Sequence, residues 1–516
     1  MLQPKELMIL PKPASIERFD LSISDIKQVI ACPSAPIAAI KAGQAISIPN
    51  GTFDVELIQA QLPATFQPDF VSLSARVMTF IPRGLDKFNC PKVMKIGDTF
   101  HFGDGSLSGI VQYCQMLNCD YHWTYQSVQH LHFFIESGLK NVFWLPGTIV
   151  IDPYVPQNIS QVPNTIIFRG SESELHCYRR FILQRLQSAN IAIDIQSKSY
   201  RACIEDYAKA HIVINCSLNG DSNRRVFEVL MAGGFLMSDR VSSQTGLYTL
   251  FEEGVHFECY GNESELIEKI QHYLTHPEKA KQIAAAGQQK LLECYSQHTV
   301  QQKLYRYIIH NEIAPPFRVE HDTRIESVQT DTTLKLRIKL YELIQELHRI
   351  YPSLNLLYQG ENAALVSDLI DLPRLNLINL DTATESTIAQ IILIDASTSL
   401  HTLKQRIQAV DRWLDQAEFL MIVGQPNWRI TLRLTQWLRK QGIVLMKMQI
   451  DLFKQTYDLS TIDHLLIYQK IIPQGHRKSQ YPMAPLTAIP ITLATVLLHQ
   501  YRLLPFAVRL KKIIRS

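Results

Sequence analysis

The sequence predicts an α/β fold built on parallel sheets. Short apolar runs alternate with stretches of helical periodicity along most of the 516 residues, and this alternation is typical of strand–helix–strand units. Apolar residues make up 46% of the chain and charged residues 19%, as in a globular protein and not a disordered one. A chain of this length exceeds a single hydrophobic core, so we expect several α/β domains.

The clearest strand–helix–strand unit covers residues 211–239. An apolar run predicts a buried strand, and the polar loop that follows ends at Asp221 or Ser222, either of which can cap the next helix. The helix is expected to stop at Gly233, and residues 235–237 predict a second buried strand. Ligands bind beyond the carboxyl ends of the strands in such sheets, which is where this loop lies.

Arg225 and Glu228 stand three residues apart, on one face of this helix. Taken alone, they are an ordinary surface pair. The stretch 222–239, however, resembles the nucleotide-sugar-binding half of the GT-B glycosyltransferases, most closely the CgeB-like branch of the group-1 transferases. The resemblance continues in order through residues 246–257, 262–266, 276–278, 285–287 and 298–299.

The resemblance implies that Glu228 holds the ribose hydroxyls of a donor nucleotide, a suitable task for two carboxylate oxygens. Many group-1 transferases carry another glutamate eight residues earlier, near the donor sugar. Here that position is Gly220, with Asp221 beside it. Either Asp221 substitutes for the glutamate or sugar recognition differs.

Guanidinium groups and a helix N-terminus would together stabilise a departing nucleoside diphosphate. Arg169 ends a predicted strand at a glycine turn, and Arg224 and Arg225 open the helix. Arg179 and Arg180 are expected on a solvated helix face. The predicted donor-binding residues are Arg169, Gly170, Asn219, Asp221, Arg224, Arg225 and Glu228. The family manages without a bound metal or cofactor, and we expect neither here.

Residues 1–50 are weakly patterned, but a predicted strand at 92–96 runs into a loop rich in glycine and aspartate. The resemblance places Asp98 and His101 of this loop near the acceptor, as catalytic candidates. The pKa of an ordinary histidine suits His101 to general-base catalysis at neutral pH. The alternative is a turn aspartate and a structural histidine.

His122, His130 and His132 also cluster in the sequence. No cysteine or carboxylate accompanies them at metal-ligand spacing, so a structural or solvated role is favoured and no zinc site is expected. The nine cysteines form no C-x-x-C pair. With an N-terminus that lacks a signal-peptide pattern, this favours a cytoplasmic protein.

Residues 313–332 read as a linker, proline-bearing and then polar, and 333–475 as a third domain. This domain resembles a class I methyltransferase-like Rossmann domain. Its first strand, however, is followed by a loop with the single glycine Gly360, where such enzymes need several for the backbone to approach the cofactor. We therefore favour a degenerate, non-catalytic domain.

Residues 476–516 form a basic amphipathic tail, and no Asp or Glu follows Asp463. The apolar stretch in the tail is too short to span a bilayer, which needs roughly 20 residues. Interfacial contact with the inner membrane face or docking on the protein's own body would both suit such a tail. The rest of the chain is mildly acidic, which argues against nucleic-acid binding.

The sequence thus predicts GT-B double Rossmann-like domains, acceptor-side at 1–148 and nucleotide-sugar-binding at 149–312, plus the third α/β domain. The expected reaction moves a sugar, such as a hexose, from a nucleotide diphosphate sugar to a hydroxyl of a glycan (such as a cell-envelope glycan), glycolipid or protein. The alternatives are a non-catalytic GT-B-like scaffold and, less favoured, an S-adenosylmethionine-dependent methyltransferase.

Overall fold

The computed structural model divides into two compact units, residues 1–328 and 329–516. The residues that it describes are 3–23, 25–75, 80–97, 99, 107–124, 128–146, 154–156, 159–172, 177–217, 220–312, 331–370, 372–395, 399–414, 416–423, 433–434, 436–438, 443–445, 449–452, 455–458 and 465–470. The α/β class with parallel Rossmann-like sheets is confirmed.

The first sheet has seven parallel strands in the order β3-β2-β1-β5-β7-β8-β9. They are β1 (Glu6–Ile9), β2 (Gln28–Pro33), β3 (Ala45–Ile48), β5 (Phe70–Ala75), β7 (Lys92–Ile96), β8 (Tyr121–Thr124) and β9 (Val142–Trp144). β4 (Thr52–Asp54) and β6 (Ile81–Arg83) form a separate parallel pair. The α-helices of this part are α1 (Ile37–Lys41), α2 (Glu56–Gln59), α3 (Leu107–Leu117) and α4 (Leu131–Glu136).

The first 50 residues, weakly patterned in sequence, supply three strands of this sheet. β1 and β2 are short, and their first residues, Glu6 and Gln28, are polar. Buried parallel strands usually read as continuous apolar runs. These strands have only four and six residues, so a polar first residue leaves a very short apolar run. This is why the sequence gives only a weak strand pattern here.

The second sheet has five parallel strands in the order β11-β10-β12-β13-β14. They are β10 (Val162–Arg169), β11 (Ile193–Gln196), β12 (Ala210–Asn215), β13 (Leu236–Asp239) and β14 (Glu258–Tyr260). The helices are α5 (Cys177–Ser188), α6 (Tyr200–Lys209), α7 (Arg224–Ala232), α8 (Leu247–Leu250), α9 (Glu263–Thr275), α10 (Pro277–Lys290), a π-helix at Leu291–Tyr295 and α11 (Gln297–His310).

The caps of α7 differ from the prediction at one end only. Its N-cap is Asn223, whose side chain accepts from the Arg225 N–H, and not Asp221 or Ser222. Asn223 takes this role because it is the last residue in an extended conformation, with ψ of 168°. At the other end Gly233 adopts the left-handed conformation, φ 75°, and stops the helix as predicted.

Helix α11 follows the second sheet in the chain but packs on the first. The Tyr307 ring meets Phe143 edge-on at 4.8 Å and Tyr121 at 5.2 Å between ring centroids. The Tyr305 ring contacts Phe70 of β5 in a tilted arrangement, with 5.8 Å between ring centroids and 48° between ring planes. The two sheets are thereby joined by packing as well as by the chain.

The second unit begins with α12 (Asp331–Ile350) and has a six-stranded sheet in the order β16-β15-β17-β18-β22-β19. Its strands are β15 (Leu354–Gln359), β16 (Leu375–Asn379), β17 (Ile391–Asp395), β18 (Phe419–Val423), β19 (Ile443–Leu445) and β22 (Leu465–Lys470), with β20 (Gln449–Leu452) and β21 (Gln455–Asp458) as a hairpin. α13 (Leu400–Ala409) and α14 (Asp411–Leu414) separate β17 from β18. β22 runs antiparallel between β18 and β19.

Two short 3₁₀ helices, Ala363–Leu365 and Ser367–Leu369, lie between β15 and β16. Neither has a side-chain cap hydrogen bond at its start. In the part of the chain that is described, no helix is long and apolar enough to cross a bilayer. The basic tail at 476–516 lies outside the described residues.

Candidate functional site

The second sheet reverses its strand order between β10 and β12. β11 lies on one side of β10, whereas β12, β13 and β14 follow on the other. A crevice forms at such a reversal, beyond the carboxyl ends of the two central strands, and this is where open α/β sheets bind ligands. Gly170 follows β10 at this point, and the N-terminus of α7 follows β12.

Arg225 occupies this crevice. Its Nη1 donates to Asn215 Oδ1 at 2.9 Å, and its guanidinium lies 4.6 Å from the Phe168 ring centroid. A methyl group on Gly170 would overlap Arg225 Nη2, so the glycine makes room for the arginine. Among the described atoms, the buried Arg225 Nε has no hydrogen-bond partner. Gly170 and Arg225, both donor-binding candidates from the sequence, therefore lie together.

Arg179 approaches the same ring from α5, and here the prediction of a solvated helix face is wrong. The residue is buried, its Nη1 donates to the Ser171 carbonyl at 3.0 Å and its Nη2 to the Cys216 carbonyl at 3.0 Å. Its guanidinium lies 5.4 Å from the Phe168 centroid. Burial lowers the pKa of Arg179, and neighbouring Arg225 lowers it further.

Sequence reasoning could have found Arg179. It lies three, four and seven residues before Ile182, Leu183 and Leu186, all of which are buried. Helical spacing therefore places Arg179 on the apolar face of α5 and not on its solvated face. A cation on such a face needs a buried partner, and the carbonyl groups at the ends of β10 and β12 provide it.

Glu228 lies one turn into α7 and is bonded to Arg224, whose Nε donates to the Glu228 carboxylate. The Glu228 side chain is only 9% exposed. Burial raises its pKa, while the positive charges of Arg224 and Arg225 oppose that shift. Arg224 itself lies over the Tyr200 ring, 5.3 Å from its centroid. The carboxylate is thus fixed in place, close to both arginines.

Arg169 is engaged elsewhere than in the crevice. Its Nη2 lies 2.6 Å from Asp194 Oδ2, its Nε pairs with Asp206, and its side chain is 3% exposed. Nη1 donates to the Asp194 and Phe168 carbonyls. Two carboxylates therefore neutralise the charge that was predicted to meet a diphosphate, and its role in donor binding stays a prediction.

The remaining donor candidates are only partly placed. Asp221 is buried beside the crevice loop, next to Gly220 with φ of 71°. Asn219 lies outside the described residues, as do both catalytic candidates, Asp98 and His101.

Thr99, between the two catalytic candidates, is described and buried. Its Oγ1 lies 2.5 Å from His130 Nδ1. This bond ties the loop after β7 to the start of α4.

The three clustered histidines do not converge. His122 Nδ1 faces the Lys140 carbonyl at 3.0 Å, His130 contacts Thr99, and the His132 ring packs against Phe133. Across the described parts of the chain, no three metal-ligating side chains come together. Burial lowers the pKa of His122, which suits the structural role that was predicted.

The two sheets of the first unit meet where Trp144, at the end of β9, packs on Gly246. A Cβ built on Gly246 would lie 2.6 Å from the indole ring, and the residue has φ of 78°. Gly246 is the N-cap of α8 and directly follows a short 3₁₀ helix at Ser243–Thr245. Only glycine therefore fits this contact both in space and in backbone conformation.

Taken together, the crevice can hold an anion with vicinal hydroxyl groups. Two guanidinium groups and the N-terminus of a nine-residue helix provide positive potential at one place. A buried carboxylate one turn away can accept from two hydroxyls.

Residues 179–307 match the family model described as "glycosyl transferase-like". Similar solved structures include a UDP-glucose complex of Alr3699/HepE from Anabaena, at 13% identity over 58% of this chain and 98% of that one, with a TM-score of 0.39. Sucrose-phosphate synthase from Thermosynechococcus elongatus is 11% identical over 60% and 100%, with a TM-score of 0.41. A glycosyltransferase from Rickettsia africae ESF-5 is 12% identical over 60% and 100%, at 0.40. The search of curated proteins finds no match.

In the second unit, side chains from β15, β17 and α13 close the space around the loop after β15. A Cβ on Gly360 would overlap the Tyr358 hydroxyl and lie 2.5 Å from Asp395 Cβ. Tyr358 donates to the Asn362 carbonyl at 2.9 Å, and Arg406 Nη2 lies 2.7 Å from Glu361 Oε1. The space beside this single glycine is filled by protein.

Proposed function

We propose that the chain is a glycosyltransferase of the GT-B, group-1 type that takes its sugar from a nucleotide diphosphate sugar. The observation that carries this is the crevice, where Arg225 and Arg179 lie on the Phe168 ring and Glu228 follows one helical turn later. The match of residues 179–307 to a glycosyl transferase-like family model supports it independently, because those residues contain the whole of α7.

In this proposal Glu228 accepts hydrogen bonds from the two ribose hydroxyls. Its carboxylate must be ionised to do so, and Arg224 favours that form. Burial makes the interaction stronger than it would be in water, because few water molecules compete for the carboxylate oxygens.

Arg225 and the first N–H groups of α7 would bind the diphosphate. When the bond to the sugar breaks, negative charge develops on the leaving phosphate, and positive groups already in place stabilise it. Arg179 adds a second positive charge beside the Phe168 ring. In the proposal this charge does the work of a metal ion, so activity should persist in a chelator.

The acceptor would be a hydroxyl of a glycan, glycolipid or protein. His101 is proposed as general base and Asp98 as its neighbour at the acceptor. Support is indirect: Thr99, between them in the chain, is buried and bonded to His130. A hexose as donor sugar, a cell-envelope glycan as acceptor and a membrane contact through the basic tail belong to the same proposal.

We further infer that the second unit is a degenerate methyltransferase-like domain without cofactor binding. The filled space beside Gly360 supports this, because the adenosine part of a cofactor would have to displace Tyr358. Asp395, at the end of β17, also lies against that loop, and burial raises its pKa.

Thermal unfolding with UDP, GDP, ADP, TDP and S-adenosylhomocysteine tests both proposals. One nucleoside diphosphate is expected to stabilise the chain, since a ligand at a hundred times its dissociation constant adds about 2.7 kcal/mol. S-adenosylhomocysteine is expected to have no effect. Stabilisation by S-adenosylhomocysteine alone would contradict both proposals and favour a methyltransferase, while no response at all would favour the scaffold.

A further inference from the structure

The face of the first sheet on which α11 packs is unexpectedly polar. Parallel strands covered on both faces are normally apolar throughout. Here Glu6, Ser72 and Lys95 interrupt three neighbouring strands, β1, β5 and β7. Their cross-strand registers place them on one face: Met8 pairs with Ser72, Ser74 with Lys95. Side chains alternate along a strand, so these residues all face α11.

A cavity of about 260 Å³ opens at this place. Its lining includes Glu6, Arg18, Lys95 and Trp123 from the sheet side, and Gln301 and Tyr305 from α11. None of these residues belongs to the nucleotide crevice.

The cavity contains a preponderance of positive charge. Lys95 Nζ lies 5.0 Å from the Trp123 ring centroid. Burial lowers the pKa of Lys95, Glu6 opposes that shift and Arg18 adds to it, so one acid faces two cations. Glu6 and Lys95 are half-buried and Arg18 is exposed, and holding an excess of positive charge on a partly covered sheet face costs stability. A bound anion would reduce that cost, and so would explain why the cluster is there.

The same cavity offers groups for hydroxyls. Glu6 is held by two hydrogen bonds, from Ser72 Oγ at 2.5 Å and from Gln28 Nε2 at 2.7 Å, which orient its oxygens. Gln301 donates to the Tyr305 hydroxyl at 2.5 Å on the opposite wall. Aromatic rings of Trp123 and Tyr305 can pack on the apolar face of a sugar ring.

We propose that this cavity binds a phosphorylated monosaccharide, with its phosphate at Lys95 and Arg18 and its hydroxyls at Glu6 and Gln301. Because Gln301 and Tyr305 belong to α11, the ligand would also strengthen the packing of that helix on the first sheet. The inference does not rest on the nucleotide crevice being active.

Thermal shift of the full chain with a hexose phosphate, inorganic phosphate and the free hexose, at constant ionic strength, tests this. The hexose phosphate is expected to raise the melting temperature most. Lys95→Met and Arg18→Met should each weaken its binding about tenfold, because each removes one positive charge near the phosphate. Lys27→Met, at an exposed lysine paired with Asp25, is the control and should change nothing.

The response must survive in Glu228→Gln, which separates it from binding in the nucleotide crevice. If Lys95→Met fails to fold, weaker binding in Arg18→Met, at an exposed residue, still supports the proposal. No stabilisation by any probe, or equal stabilisation of wild type and both cavity variants, would overturn it. Equal effects of inorganic phosphate and hexose phosphate would overturn the assignment of a sugar.

Discussion

Arg225 lies over Phe168 with its guanidinium 4.6 Å from the ring centroid, at the reversal of strand order in the second sheet. The ring fixes the guanidinium plane, and Asn215 fixes its direction by accepting from Nη1. A cation held in this way at a helix N-terminus costs little reorganisation when an anion arrives. This relationship makes the crevice a prepared anion site.

Replacing Arg225 should therefore remove most of the affinity for a nucleoside diphosphate. We expect Arg225→Met to weaken binding roughly 10- to 100-fold, since a hydrogen bond to a charged group contributes about 1.5–3 kcal/mol. Isothermal titration gives the affinity. Arg180→Met, at the half-buried residue that follows Arg179 in α5, is the control and should bind like wild type.

Arg169→Met should behave in the opposite way. It leaves Asp194 and Asp206 without their shared cation, so the melting temperature should fall. Nucleotide affinity should change less than in Arg225→Met, because the Arg169 charge is already neutralised. A larger loss of affinity in Arg169→Met than in Arg225→Met would restore Arg169 as the diphosphate ligand.

Nucleotide binding should weaken in acid as Glu228 becomes protonated. The pKa of Glu228 is raised by burial from its ordinary value of 4.5, so the loss begins above that pH. Arg224→Met removes the main opposing charge and should move the loss to higher pH. Calorimetric titrations of wild type and Arg224→Met at a series of pH values check this. The nucleotide ionises identically in both experiments, so its own titration does not affect the difference between the two proteins. An unchanged pH profile would contradict the role of Arg224.

Gly246→Ala should destabilise the first unit through Trp144. Any alanine at φ of 78° costs about 1–2 kcal/mol, and overlap with the indole ring should add roughly 1–3 kcal/mol. Gly254 has the same φ, but the nearest atom to its Cβ position is 3.8 Å away, so Gly254→Ala is a matched control. Equal melting temperatures for the two variants would show that the Trp144 contact contributes nothing.

Acid should also destabilise the second unit through His348. Burial lowers the pKa of His348 to about 3 from its ordinary 6.5. The folded state keeps it neutral while the unfolded state protonates it, so stability is full above pH 6.5 and is lost as the pH falls toward 3. Between these pH values the free energy of unfolding falls by at most about 1.4 kcal/mol for each pH unit.

Scanning calorimetry at several pH values measures this effect. His348→Gln should flatten the acid dependence, whereas His401→Gln, at an exposed histidine, should keep it. The same acid slope in His348→Gln and in wild type would exclude His348 as its cause.

The sequence was most informative where the chain is most buried. The unit around α7 was predicted almost to the residue, because apolar strands, helical spacing and Gly233 all agree there. Arg179 was misplaced because a charged residue was assumed to be solvated, although its spacing put it on the apolar face. The strands β1 and β2 were missed because Glu6 and Gln28 serve a polar cavity, and so break the apolar run.

Pairings between distant residues could not be predicted. Arg169 lies next to Gly170 in the chain, but its partners come from β11 and α6. The direction of the Arg169 side chain depends on the order of the strands in the sheet. A single sequence does not specify that order. The same holds for Trp144 and Gly246, which meet only because the two sheets face each other at that point.

The central claim is that the crevice binds a nucleoside diphosphate through Glu228, and calorimetric titration of wild type and Glu228→Gln tests it most directly. We expect one nucleoside diphosphate to bind the wild type and to bind Glu228→Gln at least tenfold more weakly. Burial raises the pKa of Glu228, so the ionised carboxylate lowers the stability of the folded state. Glu228→Gln removes this charge, and its melting temperature should therefore be no lower than that of wild type. Equal binding to both proteins, or no binding to either, would contradict the account.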